Sequence, residues 1–97
     1  MLTGKQKRFL RKEAHHLKPV FQIGKQGIHE TFMDEIADVL EARELIKISV
    51  LQNAIEDPKA AGEYLSKKIE AELVQVMGSI ITLYKPSQEN PQLELPH

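Results

Sequence analysis

Apolar positions along the chain follow two alternating periods, and their succession predicts seven elements. Leu10, Ala14 and Leu17 fall at i, i+4 and i+7, with Phe9 at the margin, as one stripe of an amphipathic helix. Thr3 and Gln6 have capping-box spacing at its start, and Pro19 ends it. Val20 to Ile23 then reads as a short strand, followed by the tight loop Gly24-Lys25-Gln26-Gly27. A second helix, from about His29 to Arg43, turns Phe32, Ile36, Val39 and Leu40 inward and Glu30, Asp34, Glu35, Asp38 and Glu41 outward. From Leu45 to Leu51 the period is two, with Ile46, Ile48 and Val50 on one face and Lys47 and Ser49 on the other.

Asp57-Pro58, an N-cap acid before a proline suited to the first helical position, opens a third helix. Its stripe is Ala61, Leu65, Ile69 and Leu73, with Tyr64 alongside. Val74 to Met77 and Ile80 to Tyr84 are β runs joined by Gly78-Ser79, a two-residue hairpin signal. The order α-β-α-β-α-β-β predicts an α/β (α+β) two-layer sandwich on a four-stranded mixed sheet. Pro86, Pro91 and Pro96 punctuate a polar end, so residues 1–87 read as one domain and 88–97 as an extended or mobile tail.

Ninety-seven residues, 41% hydrophobic and 28% charged, suffice for one core. The lack of cysteine excludes disulfides, zinc–thiolate sites, iron–sulfur clusters and thiol nucleophiles. No apolar run approaches the roughly 20 residues of a membrane helix, and no signal-peptide stretch opens the chain, so a cytoplasmic location is expected. The net charge of −1 conceals a polarity. Residues 1–27 carry seven bases (Lys5, Lys7, Arg8, Arg11, Lys12, Lys18 and Lys25) against Glu13 alone, a net +6, while residues 28–97 hold six bases and thirteen acids, a net −7. Lys5, Arg8 and Lys12 align opposite the first helix's apolar stripe, with Arg11 beside them. Like charges so placed repel one another, which favours a polyanionic partner over a merely solvated face.

The Gly24–Gly27 loop lies between a strand and a helix N-terminus. Glycine lets backbone approach a ligand closely, and the helix end offers unpaired N–H groups and partial positive charge to a phosphate. Lys25 adds a full charge, and Gln26 can donate to phosphate or sugar oxygens. The Lys-Ser/Thr ending of a Walker loop and the third glycine of a dinucleotide fingerprint are both missing. Taken alone, the spacing is more often a plain turn; beside a segment of net +6, a clamp on nucleic-acid backbone is the stronger reading.

Five collinear stretches, Leu17-Lys18-Pro19-Val20, Ile23-Gly24-Lys25-Gln26-Gly27, Glu44-Leu45-Ile46-Lys47, Val74-Gln75-Val76-Met77-Gly78 and Leu83-Tyr84-Lys85-Pro86, together resemble the CRM domain, named for chloroplast RNA splicing and ribosome maturation. The likeness is to its stand-alone bacterial, YhbY-like form, over roughly residues 2–87. The resemblance implies a fold similar to the C-terminal domain of bacterial initiation factor three. It also implies RNA binding and association with precursors of the large ribosomal subunit. Carried onto this sequence, the RNA-binding set is Gly24, Lys25, Gln26 and Gly27 with Lys5, Arg8, Arg11 and Lys12, and Lys18 near the helix end. Two positions and the tail depart from the family pattern: His29 stands where a capping threonine is common, Lys85 where arginine is also familiar, and the tail is acidic.

An enzyme is not expected. His15, His16, His29 and His97 show no metal-ligand spacing, no serine has a nucleophile-elbow context, and no cofactor or metal is implied. His15 and His16 read instead as one ring packed near Leu17 and one capping helix carbonyls. Aromatics are only 5%, so recognition of RNA shape and backbone is expected over base stacking. A monomer that avoids membranes is expected. The alternative is a protein-interaction module whose acidic second helix and tail dock a basic ribosomal protein.

Overall fold

A computed structural model describes residues 2–97. The seven elements follow in the expected order: α1 (Gly4–Ala14), β1 (Phe21–Ile23), α2 (Glu30–Arg43), β2 (Leu45–Val50), α3 (Pro58–Lys68), β3 (Glu72–Met77) and β4 (Ile80–Tyr84). The strands form one sheet in the order β1-β2-β4-β3. β1 runs parallel to β2, a pairing that needs the α2 crossover, and the other neighbours are antiparallel. The result is the mixed four-stranded α+β architecture that the hydrophobic pattern predicts.

Local chemistry sets the element ends. Thr3 Oγ1 accepts from the Gln6 N–H at 3.1 Å while Gln6 Oε1 accepts from the Thr3 N–H at 3.0 Å, so both halves of the capping box close. Asp57 Oδ2 accepts from the Ala60 N–H at 3.2 Å, with Pro58 in the first turn. Gly78 takes φ +59° at the first central position of the β3–β4 turn, where glycine is preferred.

The two sheet faces are covered by different helices. Ile36 and Leu40 of α2 and Ala61 and Leu65 of α3 pack against Ile23, Ile46, Ile48, Val50, Ile81 and Leu83. Gly62 lets α3 sit close: a Cβ there would stand 3.0 Å from Leu73 Cδ1 and 3.4 Å from Ile81 Cγ2. On the opposite face Leu10 and Ala14 of α1 pack with Leu45, Val74 and Tyr84, joined at the edge by Leu2, Phe9, Leu93 and Leu95. The sheet with α2 and α3 thus makes the sandwich, and α1 with the tail covers part of the second face.

Four local features correct or add to the expected elements. First, α1 stops at Ala14, because the chain tightens into i→i−3 bonds from His15 N–H to Lys12 O and from Leu17 N–H to Ala14 O. Leu17 therefore leaves the stripe and is 37% exposed. Second, α3 ends at Lys68 and Glu70 turns the chain at φ +55°, so Leu73 belongs to β3, although Ile69 and Leu73 still pack on the first core. Third, a bulge between Leu73 and Gln75 breaks the alternation of β3. It puts Val74 under α1 while Val76 packs on the other face. Fourth, Tyr64 lies 43% exposed beneath the Lys68 ammonium, 5.7 Å from its ring centroid.

The tail has no helix or strand, yet two carboxylates pin it. Glu44, 2% exposed, accepts from the backbone N–H of Ser87 at 2.8 Å, Gln92 at 2.8 Å and Leu93 at 2.9 Å. Burial raises its pKa, but those three donors outweigh burial and the neighbouring Glu41 charge and hold it below the ordinary carboxylate value. Glu41 accepts from Ser87 Oγ and from the N–H groups of Gln88 and Glu89, and these donors likewise lower its pKa. Far along the tail, Gln6 Nε2 donates to Pro96 O at 3.0 Å. Glu41 is therefore half-covered by the tail and does not belong to the open acidic face of α2.

Candidate functional site

The Gly24–Gly27 loop leaves the end of β1, an edge strand, and leads into α2. The Gly27 N–H donates to Gly24 O at 3.0 Å, closing a turn with Lys25 and Gln26 exposed at its tip. The two glycines have different duties. Gly27 needs φ +73°, whereas Gly24 has no positive φ, and a Cβ there would meet only Leu51 Cδ1 at 3.7 Å. Gly24 thus keeps its surface bare without a conformational need.

Below the loop, His29 caps α2 by accepting the Phe32 N–H on Nδ1 at 3.3 Å, which fills the capping place by imidazole in place of a hydroxyl. Its ring leads to Phe32 at 5.9 Å and then edge-to-face to Phe21 at 5.6 Å. A shallow hollow of about 260 Å³ lies between the loop, His29, Phe32, Gln22 and Leu51.

A larger groove of about 620 Å³ opens on the α1 face of the sheet. Arg11 and Lys12 of α1 and Lys47 of β2 line it, with His15 and His16 at one end. Neither imidazole packs near Leu17 or caps a carbonyl in the expected way: both are exposed and meet edge-to-face at 5.4 Å, and it is the His15 backbone N–H that closes the helix. Because Phe21 and Ile23 point into the first core, Gln22 lies on the groove's face, paired with Ser49, two residues along β2 from Lys47. By strand geometry about 14 Å separates Lys47 from Gly24.

The remaining candidate residues are less convergent. Arg8 and Lys18 are exposed, and the Lys5 ammonium leans 3.5 Å from the His97 carbonyl, toward the tail. Lys85 is not a surface cation in search of an anion, since its Nζ donates to Ile69 O at 2.9 Å and caps the end of α3. Sequence reasoning missed Glu56, whose Oε1 would sit 2.8 Å from a Cβ on Gly27 and whose Oε2 is buried without a hydrogen-bond partner. An N-cap Asp57 flags the helix start, but nothing in the pattern signals that the preceding acid folds back on the loop.

These features define a small α+β domain with a basic helix across one sheet face and a strand–Gly-x-x-Gly–helix turn at the sheet edge. Residues 2–85 match the CRS1 / YhbY (CRM) domain. The chain belongs to that family. It is 58% identical over 96 residues to Probable RNA-binding protein YqeI of Bacillus subtilis, covering 99% of this chain and 100% of the relative. It is 38% identical over 95 residues to a protein of Haemophilus influenzae named RNA-binding protein, covering 98% and 95%. The solution structure of SAV1595 from Staphylococcus aureus, put forward as an RNA-binding protein, superposes with a TM-score of 0.82 at 56% identity, over 99% of this chain and 100% of that one.

Proposed function

We propose that this protein binds structured RNA by its phosphates, with large-subunit ribosomal RNA precursors as the target and subunit assembly or maturation as the setting. The observation that carries the reading is the polar path on the α1 face. It runs from Lys25 and Gln26 at the loop tip, past Gln22 and Ser49, to Lys47 and the Arg11–Lys12 edge of the groove. One RNA segment can touch both ends. Relatives named as RNA-binding proteins support the same partner. In this reading Gly24, Lys25, Gln26 and Gly27 clamp backbone, Arg8, Arg11 and Lys12 add charge, and Lys5 and Lys18 lie at the margins.

Affinity of this kind is electrostatic and falls steeply with salt. The exposed acids Glu30, Asp34, Glu35 and Asp38 of α2 repel RNA from the far face and so fix orientation. The test is fluorescence anisotropy with a folded large-subunit rRNA fragment across a salt series, wild type beside Lys25→Glu. The variant should bind more weakly and with a salt slope smaller by about one. Absence of binding even at low salt would transfer the assignment to a protein partner and return the loop to a turn.

A further inference from the structure

The groove beneath the end of α1 has a lining that phosphate binding alone does not require. Its cations are Arg11, Lys12 and Lys47, and among the described residues no carboxylate lines it. Beside them, however, stands an apolar plate. Met77, 68% exposed at the end of β3, and the half-buried Ile80 paired with it across the hairpin form it. Gln75 and Thr82 add neutral donors and acceptors to the same floor. Gln75 is there because of the β3 bulge, which lets Val74 and Gln75 share the face that strict alternation would deny one of them.

We propose that this groove seats a single unpaired nucleotide of the bound RNA, with its phosphate on Arg11, Lys12 and Lys47 and its base against Met77. The inference rests on the RNA-binding reading and adds a second contact to it. A bare anion would use the cations and waste the plate, and an apolar ligand would leave three positive charges unanswered. A nucleotide has both parts, plus an edge of donors and acceptors that Gln75 and Thr82 can meet. The volume suits one small-molecule-sized group. The end of α1 carries a partial negative charge that opposes an anion, and Arg11 and Lys12 in its last turn reverse the local sign.

The experiment compares two RNA hairpins that differ only in one bulged adenosine, titrated against wild type, Met77→Ser, Lys47→Gln and Lys25→Glu. Met77 is exposed, so its substitution leaves the fold intact, and thermal melts of all variants verify this. Wild type should prefer the bulged hairpin by about three- to tenfold, the scale of one sulfur–aromatic contact. Met77→Ser should abolish the preference and leave affinity for the plain hairpin unchanged, Lys47→Gln should weaken both RNAs but the bulged one more, and Lys25→Glu should weaken both alike. The Met77 methyl NMR signal should shift with the bulged RNA and not with the plain one. Equal wild-type affinity for the two hairpins, or a preference that survives both groove substitutions, would overturn the nucleotide seat and leave RNA binding standing. Binding of neither RNA at low salt would overturn both.

Discussion

Glu44 occupies a position where glycine is the usual residue. It caps α2 at φ +67°, a conformation that costs an L-residue about 1–2 kcal/mol. Glycine would remove that strain but also the carboxylate that holds Ser87, Gln92 and Leu93. Hydrogen bonds to a charged group contribute about 1.5–3 kcal/mol each before the tail's ordering entropy is subtracted. In Glu44→Gln, an amide NH₂ must face either the Ser87 N–H or the Gln92 and Leu93 N–H pair, and the bonds that survive become neutral. Direct loss of one charged bond and weakening of the others sum to roughly 2–4 kcal/mol. The loss is capped, because a tail with poor anchors detaches instead of straining the fold. A net cost near 2 kcal/mol is therefore expected, a fall in Tm of about 8–16 °C for a domain of this size.

The assay is a double-mutant cycle by urea and thermal unfolding, in the full chain and in a chain lacking residues 87–97. Glu44→Gln should destabilise the full chain and be nearly neutral without the tail. Glu44→Gly should change sign: destabilising in the full chain, and stabilising by about 1 kcal/mol when no tail remains to be held. Equal effects in both backgrounds would refute the strap, and a stabilised full-length Glu44→Gly would show that backbone strain outweighs the carboxylate.

Other predictions concern the same strap, the loop and the core. Glu41 and Glu44 both titrate below the ordinary carboxylate value in the folded chain, so their contribution is complete well above that value and is lost as pH falls through the lower folded values. Amide exchange at Gln92 and Leu93 should accelerate there before the sheet amides do. Gly24→Ala should leave the melting temperature unchanged and weaken RNA binding through a Cβ at the clamp, whereas Gly27→Ala should destabilise by about 1–2 kcal/mol through its positive φ. Glu56→Gln removes a negative charge beside Gly27 and should raise RNA affinity about two- to fivefold in low salt, measured by anisotropy. Gly62→Val should cost about 1–3 kcal/mol in urea unfolding, since the helix must move off Leu73 and Ile81.

The sequence made the element order, both principal caps, the β3–β4 turn and the inward faces of α2 and β2 legible, because each rests on local chemistry or on a period sustained over several turns. The early end of α1 is a local tightening, but most of the sequence's other failures share one cause: a tertiary contact overrode the local signal. Leu73 keeps helical spacing from Leu65 and Ile69 but is recruited to a strand, since both roles bury it on the same core. The β3 bulge is invisible in Val74-Gln75-Val76, where regular alternation is equally consistent with the residues. The tail lacks periodicity because its anchors lie elsewhere, in carboxylates at positions 41 and 44 that a helical reading assigns to solvent or to the helix end. The loop itself is legible as a motif, but the division of labour between its glycines, and Glu56 behind them, arises only in the folded chain.

The tail also shapes the candidate site from a distance. The second sheet face needs cover, and α1 alone spans only part of it. Leu93 and Leu95 join Leu2 and Phe9 around the Leu10 and Tyr84 cluster. Burial, and then the Glu44 charge, raise the Tyr84 pKa above its ordinary value. Along the same strands, Lys47, Gln75 and Thr82 replace the apolar residues, and there the groove remains open. The boundary falls within single strands: Leu45 against Lys47 on β2, Tyr84 against Thr82 on β4, Val74 against Gln75 on β3. A two-residue step on β2 and β4, and one bulged residue on β3, thus separate the half of the face that stabilises the fold from the half left available to a ligand.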